Sequence, residues 1–264
     1  MLTKEDFEHT PAIRPDENSA GRVVAPAEAP LAPASRSAFA RLGYRAAKRA
    51  FDVVFSAGVI AVGAIPAAAL AIAIRRESEG SPIYCQTRVN GINPDGSMRT
   101  FTIYKFRSMY KDADERLEEL KAAGLNEADG PLFKMKDDPR ITPIGRFIRK
   151  HSIDEMPQFV NALMGQISVV GPRPPLPDEV REYGPRELST LSVKPGITSY
   201  WQTSGRSDTT FEQKVDLDLD YIRDRSILTD LRLVAKTIGV VITGGGRLLA
   251  AFTPLPPRGV SHAA

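Results

Sequence analysis

Cysteine is almost absent from this chain: Cys85 is the only one in 264 residues. A lone thiol excludes an internal disulfide and any cysteine-cluster zinc site, and it fits a reducing compartment. Histidine is nearly as scarce. His9, His151 and His262 do not cluster, and no HExxH or CxxC pattern occurs, so zinc hydrolase chemistry has no support. There is no Walker loop and no GxGxxG, which removes the usual ground for ATP-driven or dinucleotide-dependent chemistry. A strong charge of one sign is missing too. The net charge is +3 and the pI about 9.0. That surplus is too small and too scattered for a nucleic-acid binder, so no nucleic-acid partner is expected, yet it favours an anionic surface. The first 40 residues hold no apolar core. No secretory signal is therefore read, and the start is expected to stay in the cytoplasm.

What is present divides the chain into four pieces. Residues 1–40 carry Pro11, Pro15, Pro26, Pro30 and Pro33 among Ala, Glu and Ser, without helical or strand periodicity, and read as a disordered arm. Residues 41–76 hold an apolar segment with its flanks. Residues 77–245 carry nearly all the polar residues of chemical interest and form the main domain. Residues 246–264, with Pro254, Pro256 and Pro257, read as a flexible tail. No internal repeat occurs.

The apolar segment runs from Val53 to Ile74, with Ser56 as its one polar side chain. As a helix it would be about 33 Å long against a bilayer core of about 30 Å. Length alone permits a span. Two features oppose one. Pro66 removes a backbone donor inside the segment and crowds the preceding turn. Basic residues also flank both ends, with Arg41, Arg45, Lys48 and Arg49 before and Arg75 and Arg76 after. Such residues stay on the cytoplasmic side, and a straight span would leave one cluster on the wrong face. A re-entrant helix bent at Pro66 satisfies both clusters. A single span and a buried, alanine-rich core helix are the plainer alternatives.

Beyond this segment, SPIYCQTRV and MRTFTIYKF alternate β-branched and aromatic residues around the turn-rich NGINPDGS, which predicts a β-hairpin. Residues 111–123 predict a charged amphipathic helix ended by Gly124. In ITPIGRFIRK, Ile144, Phe147 and Ile148 share one helical face, opposite Arg146, Arg149 and Lys150. That pattern suits a membrane interface or an ordinary surface helix. Residues 211–242 predict one or two helices, the second with Ile227, Leu231, Val234, Ile238 and Val241 at helical spacing. The fold class is therefore α+β: a mainly helical cytosolic domain with a small β-hairpin, plus an N-terminal re-entrant membrane helix broken near Pro66.

Adjacent carboxylates, Asp154 and Glu155, stand in HSIDEMPQF. Ser152 followed by Glu155 matches a capping box, so both could simply close a helix start. The same placement serves catalysis. A carboxylate in a first helical turn is expected to keep a low pKa and stay ionised. An ionised Asp is a competent nucleophile toward phosphorus or an activated sugar carbon, and Glu155 could hold a divalent cation that neutralises diphosphate oxygens. Pro157 is read as lying in that first turn, where it costs no bond. Arg140, Arg146 and Arg149 precede the pair, and Arg173 follows in GPRPP. A guanidinium fork grips phosphate oxygens in a bidentate way, and flanking prolines would hold Arg173 ready. Lys105 and Arg107 in KFRSM could add charge, or lie at a solvated strand end. KPGITSYWQTSGRSD reads as a loop with Gln202 and Arg206 as polar contacts and Trp201 as a stacking or core residue.

In order, KRAFDVV, QTRV, KFRSM, DDPRITPIGRFIRKHSIDEMPQFVNALMGQISVVGPRP, KPGIT, YWQTSGRS and DLDYI closely resemble the bacterial sugar transferase family. These are monotopic polyprenyl-phosphate phosphoglycosyl transferases that start exopolysaccharide and glycoconjugate synthesis. The resemblance covers residues 46–243. It implies transfer of a sugar-1-phosphate from a UDP-sugar to polyprenyl (undecaprenyl) phosphate, with UMP released and a covalent phosphosugar on aspartate. It implies Mg2+ as cofactor and a place on the cytoplasmic face of the bacterial inner membrane. Asp154 becomes the implied nucleophile and Glu155 the implied Mg2+ partner. Lys105, Arg149, Arg173 and Asp218 match polar positions around donor phosphates and nucleotide. Gln202 and Arg206 fall in the matching third block. Ser199 stands where the family usually has Gly, and Gln166 where it often has Asp. Larger relatives carry further N-terminal membrane helices, so this chain is expected to be the small form. The sugar and any homo-oligomer stay open. A membrane-anchored adaptor without activity is the alternative, and the intact Asp154–Glu155 pair speaks against it.

Overall fold

The computed structural model describes residues 38–243, apart from 128–132, 134, 136 and 204–209. Nearly all of the expected arm (1–40), and the whole tail (246–264), lie outside the described residues. The elements are α1 (Ala38–Glu77), β1 (Ile83–Ile92), β2 (Met98–Phe106), α2 (Ala113–Ala122), α3 (Pro143–Lys150), α4 (Gln158–Leu163), β3 (Ser168–Val170), α5 (Pro177–Arg181), α6 (Pro185–Leu188), β4 (Gly196–Thr198), α7 (Tyr200–Thr203), α8 (Phe211–Asp224) and α9 (Ile227–Thr243). The chain is α+β, mainly helical, with a small antiparallel hairpin and one long N-terminal helix.

By length and composition α1 is apolar enough to cross a membrane, over Leu42–Glu77 with a mean hydropathy of 2.3. It stays helical through Pro66. The proline deletes the bond its amide would have made to Val62, but the break expected there does not interrupt the helix. Packing on both sides of the proline explains this. Phe51 and Phe55 lie against the cluster of Val169, Val170, Val215, Leu219, Tyr221, Ile222, Leu233 and Val234. Ala67, Leu70, Ala71 and Ile74 lie with Phe106 and Ile148.

Polar contacts fasten both ends of α1 to the same body. Asp52 Oδ1 accepts from Ser168 Oγ and the Val169 amide, each at 2.9 Å. Lys48 donates to Asp230 Oδ2 at 2.7 Å and to Val170 O at 3.0 Å. Arg49 donates to Ala162 O and Leu163 O at 2.6 Å, carbonyls at the negative end of α4. At the far end, Glu77 Oε1 accepts from the Ile144 amide at 2.8 Å. The opposite face of α1 is uncovered: Val54, Val62 and Ile65 are 73%, 83% and 84% exposed.

The predicted hairpin is β1–β2, paired antiparallel, with an irregularity between Val89 and Gly91 that carries pairing into the NGIN stretch. The helix predicted over 111–123 is α2. A short parallel pair, β3–β4, was not visible in the sequence pattern. Its backbones pass so close that a Cβ on Gly196 would lie 2.1 Å from the Gly171 amide. The apolar residues noted at helical spacing on α9 do not form one buried stripe. Leu233, Val234 and Val240 are buried, whereas Leu231 and Ile238 stand exposed together with Leu228 and Ile242. On α3, Ile148 is buried and Phe147 exposed.

Candidate active site

Sequence-distant segments converge on one pocket of about 230 Å3, open solvent included. Its lining comprises Arg88 of β1, Ile103 and Lys105 of β2, Glu155, Gln158 of α4, Arg173 and Pro174, Gly196 and Ile197 of β4, and Gln202 of α7. Of the residues singled out in the sequence, Lys105, Glu155, Arg173 and Gln202 therefore meet in space.

Asp154 and Glu155 lie on a 3₁₀ turn, Ile153–Glu155, between α3 and α4. The expected capping box is absent. Ser152 sits in the left-handed region (φ 55°, ψ 23°) and makes no side-chain cap, and its Oγ has no hydrogen-bond partner. The reason lies in Pro157. A helix starting at Ile153 would need the residue-157 amide for the Ile153 carbonyl, and proline has none. That carbonyl takes the Met156 amide instead, at 3.1 Å. Pro157 is not in a first turn with the dyad; it caps the next helix, α4.

Glu155 is approached from both sides at long range. Lys105 Nζ approaches its Oε1 at 3.4 Å and Gln202 Nε2 its Oε2 at 3.4 Å. Asp154 differs from expectation. Burial first, then the charge of Glu155, pushes its carboxyl up from 3.8 to about 6, against the pull of Lys105 and Arg149. A three-residue turn has too little aligned dipole to hold it low. It remains mostly ionised at neutral pH. Burial likewise pushes the Lys105 ammonium down, opposed by Glu155 and Asp154.

Arg173 is positioned by its backbone. The Pro172 carbonyl accepts from the Gly196 amide at 2.8 Å, and the Pro175 carbonyl from the Val89 amide at 3.0 Å. Arg88 donates to Pro174 O at 3.0 Å. The Arg173 guanidinium itself makes no hydrogen bond to the described residues, which leaves its fork available to an anion. Asp218, on α8, is buried within charge reach of Arg173 but does not line the pocket. Burial pushes its carboxyl up to about 7, against Lys214 and Arg173, and its Oδ1 has no hydrogen-bond partner.

Other expected residues are placed elsewhere. Arg107 donates to Ser78 O at 2.7 Å and Glu79 O at 2.5 Å, fastening the chain just after α1, and it does not line the pocket. Arg140 is buried in an ion pair with Asp138 at 2.7 Å. Arg149 acts on Asp154 by charge alone. Arg206 lies outside the described residues. Sequence reading missed Arg88 and Gln158, both buried at the pocket. Arg88 stood in the QTRV motif, and its burial, which lowers its guanidinium to about 9, carries no local signal. Among the described residues no group of three or more His, Cys, Asp or Glu side chains gathers. Among the described residues, what is offered to a divalent cation is the adjacent carboxylates Asp154 and Glu155. That donor set suits Mg2+, which takes one or two carboxylates and fills its shell with water and substrate phosphate.

Residues 43–244 match the family described as bacterial sugar transferase. The chain is 43% identical over 211 residues to the galactosyl transferase CpsE of Streptococcus agalactiae, covering 79% of this chain and 45% of that protein. It is 41% identical over 201 residues to the UDP-galactose-lipid carrier transferase of Erwinia amylovora (75% and 41%). It is 37% identical over 202 residues to the exopolysaccharide production protein ExoY of Rhizobium meliloti (76% and 87%). The chain thus spans less than half the length of the first two and most of the third. On that coverage it belongs to the bacterial sugar transferase family.

Proposed function

We propose that the chain transfers a sugar-1-phosphate from a UDP-sugar to a polyprenyl phosphate, with release of UMP. The observation that carries this is the meeting of Glu155, Lys105 and Arg173 in one pocket, with Asp154 next to Glu155 on a turn packed against the apolar helix α1 and within charge reach of Lys105. Relatives named as a UDP-galactose-lipid carrier transferase and as an undecaprenyl-phosphate galactose phosphotransferase support the same chemistry.

In this reading an Asp154 carboxylate oxygen bonds to the phosphorus that bears the sugar. The bond from that phosphorus to the bridging oxygen breaks, and UMP leaves with the electron pair. Arg173 and Lys105 face the charge that gathers on the leaving phosphate. An oxygen of the polyprenyl phosphate then displaces Asp154 and regenerates its carboxylate. Glu155, with Asp154, would hold Mg2+, which when bound supplies charge neutralisation for the diphosphate.

Both ends of α1 contact one globular body, so the reading places both on one membrane face. A spanning helix would carry Lys48 and Glu77 about 44 Å apart, to opposite sides. The uncovered Val54, Val62 and Ile65 face would then lie in lipid, at the cytoplasmic surface of the inner membrane.

The test is nucleotide release from detergent-solubilised protein given polyprenyl phosphate, Mg2+ and a panel of UDP-sugars. UMP release with one donor is expected, along with a hexose-phosphate mass on the peptide that holds Asp154. No release with any donor would overturn the reading.

A further inference from the structure

The carboxylate pair is weakly tied through its own polar groups. The turn closes only by local bonds, Glu155 N to Ser152 O at 3.3 Å and Met156 N to Ile153 O at 3.1 Å. The two contacts to the Glu155 carboxylate are both 3.4 Å, long for charge-assisted bonds. Ser152 is held in a conformation that costs energy, and its hydroxyl compensates nothing. The location of Asp154 and Glu155 must therefore be fixed by packing of the residues beside them.

Those residues are Ile153 and Met156. In a 3₁₀ turn, positions i and i+3 lie on one side, so the pair flanking the dyad points together, away from the carboxylates. Both pack into the cluster with Ala67, Leu70, Ala71 and Ile74 of α1. Met156 goes further. Its Cε lies where a Cβ on Gly63 would be, 1.7 Å away, with Sδ at 3.2 Å. A side chain at residue 63 would thus occupy the seat of the Met156 methyl. Gly63 has ordinary helical geometry, with no left-handed backbone to explain a glycine. It lies between Val62 and Ile65, which face outward, one turn before Pro66.

We propose that the notch at Gly63 seats Met156 and so sets the position of the Asp154–Glu155 turn, making Gly63 and Met156 positioning residues for the pocket. The apolar helix then acts as the template on which the carboxylates are placed, as well as the element that meets lipid. The activity arm of the test rests on the proposed transferase reading. The structural arm does not.

Gly63→Leu fills the notch and displaces Met156. A displacement of about 1 Å at the dyad lowers turnover by about 10- to 100-fold, with the donor KM changed much less, because the pocket walls at Arg88 and Arg173 stay in place. Met156→Ala in the Gly63→Leu chain vacates the contested space and restores most of that loss. In the structural arm, the protein is labelled with 13C-methyl methionine and the Met156 resonance assigned through Met156→Leu. That resonance shifts in Gly63→Ala, a single added methyl on a helix former that also carries the test if Gly63→Leu does not fold. An unshifted Met156 signal would overturn the seating. A shifted signal with unchanged turnover, or a loss that Met156→Ala fails to rescue, would overturn the positioning role. Wild-type protein without turnover on any donor would instead sink the transferase reading and leave the resonance to decide the seating.

Discussion

Asp154→Asn should make the protein more stable at neutral pH while it removes the nucleophile. The folded state lifts the Asp154 carboxyl from 3.8 to about 6, by burial and by the neighbouring Glu155. A carboxyl raised on folding binds its proton more tightly in the folded chain. Its penalty is absent below about pH 4, where both states are protonated, and grows as pH rises through about 6. A rise of that size is worth about 3 kcal/mol at neutral pH. Asn is neutral at every pH and escapes the penalty. For a domain of this size about 3 kcal/mol corresponds to roughly 6–12 °C in Tm. Thermal melts in detergent and metal-free buffer, followed by Trp201 fluorescence, should show the Asn variant melting higher at pH 7.5. The gap should close toward pH 4. A variant that melts lower than wild type at pH 7.5, or a gap independent of pH, would refute the placement of Asp154 in a half-buried, like-charged environment.

Lys105→Met removes the cation 3.4 Å from Glu155 and leaves the two carboxylates to repel. The acid limb of turnover, expected near pH 6 from Asp154, should move up by roughly one pH unit; an unmoved limb in a pH–rate profile counts against the contact. Asp52→Ala strands the Ser168 hydroxyl and the Val169 amide without their acceptor. It should cost about 3 kcal/mol, read as a lower denaturant midpoint, and a midpoint within error of wild type would show that this bond pair holds nothing. Single cysteines at positions 45 and 79, in a Cys85→Ser background, should both react with an impermeant thiol reagent from the cytoplasmic face of inverted vesicles. Reaction of one only from the opposite face would mean that α1 spans.

The hairpin and the charged helix α2 were legible because alternation and a terminating glycine are local. Gly124 has φ 71°, as a helix-ending glycine should. The dyad's identity was legible, but its local structure was not. The Ser152–Glu155 spacing satisfies a capping pattern in four letters, while the bond that would have made it a helix depends on Pro157, beyond the pattern. The pKa of Asp154 followed the same error, because a dipole was assigned to a helix that does not form. Arg107 looked like a phosphate ligand because strand alternation would put it on the same face as Lys105, two residues earlier, yet β2 ends at Phe106 and Arg107, past the strand, turns away. One reaches the pocket, the other the backbone after α1. Arg88 and Gln158 escaped because their place in the site comes from tertiary convergence. The exposed stripe of α9 shows the reverse limit: helical periodicity marks an apolar face without saying what covers it.

These details bear on what α1 is for. A plain anchor would touch its domain at one end and could be exchanged for any apolar helix. Here the helix supplies Phe51 and Phe55 to one core cluster and Ala67, Leu70, Ala71 and Ile74 to another. Its Asp52 also satisfies a donor of the buried strand β3. Lys48 completes a buried network in which Tyr221 donates to Asp230 at 2.9 Å, so removing the helix would leave that acid without its cation. The basic residues that read as membrane-face markers, Lys48 and Arg49, are therefore engaged by protein carbonyls and a carboxylate. Orientation of the helix relative to the domain is set by those bonds. The apolar segment and the pocket are in this sense one folding unit: the helix that reads as the membrane element also packs the turn that carries Asp154 and Glu155.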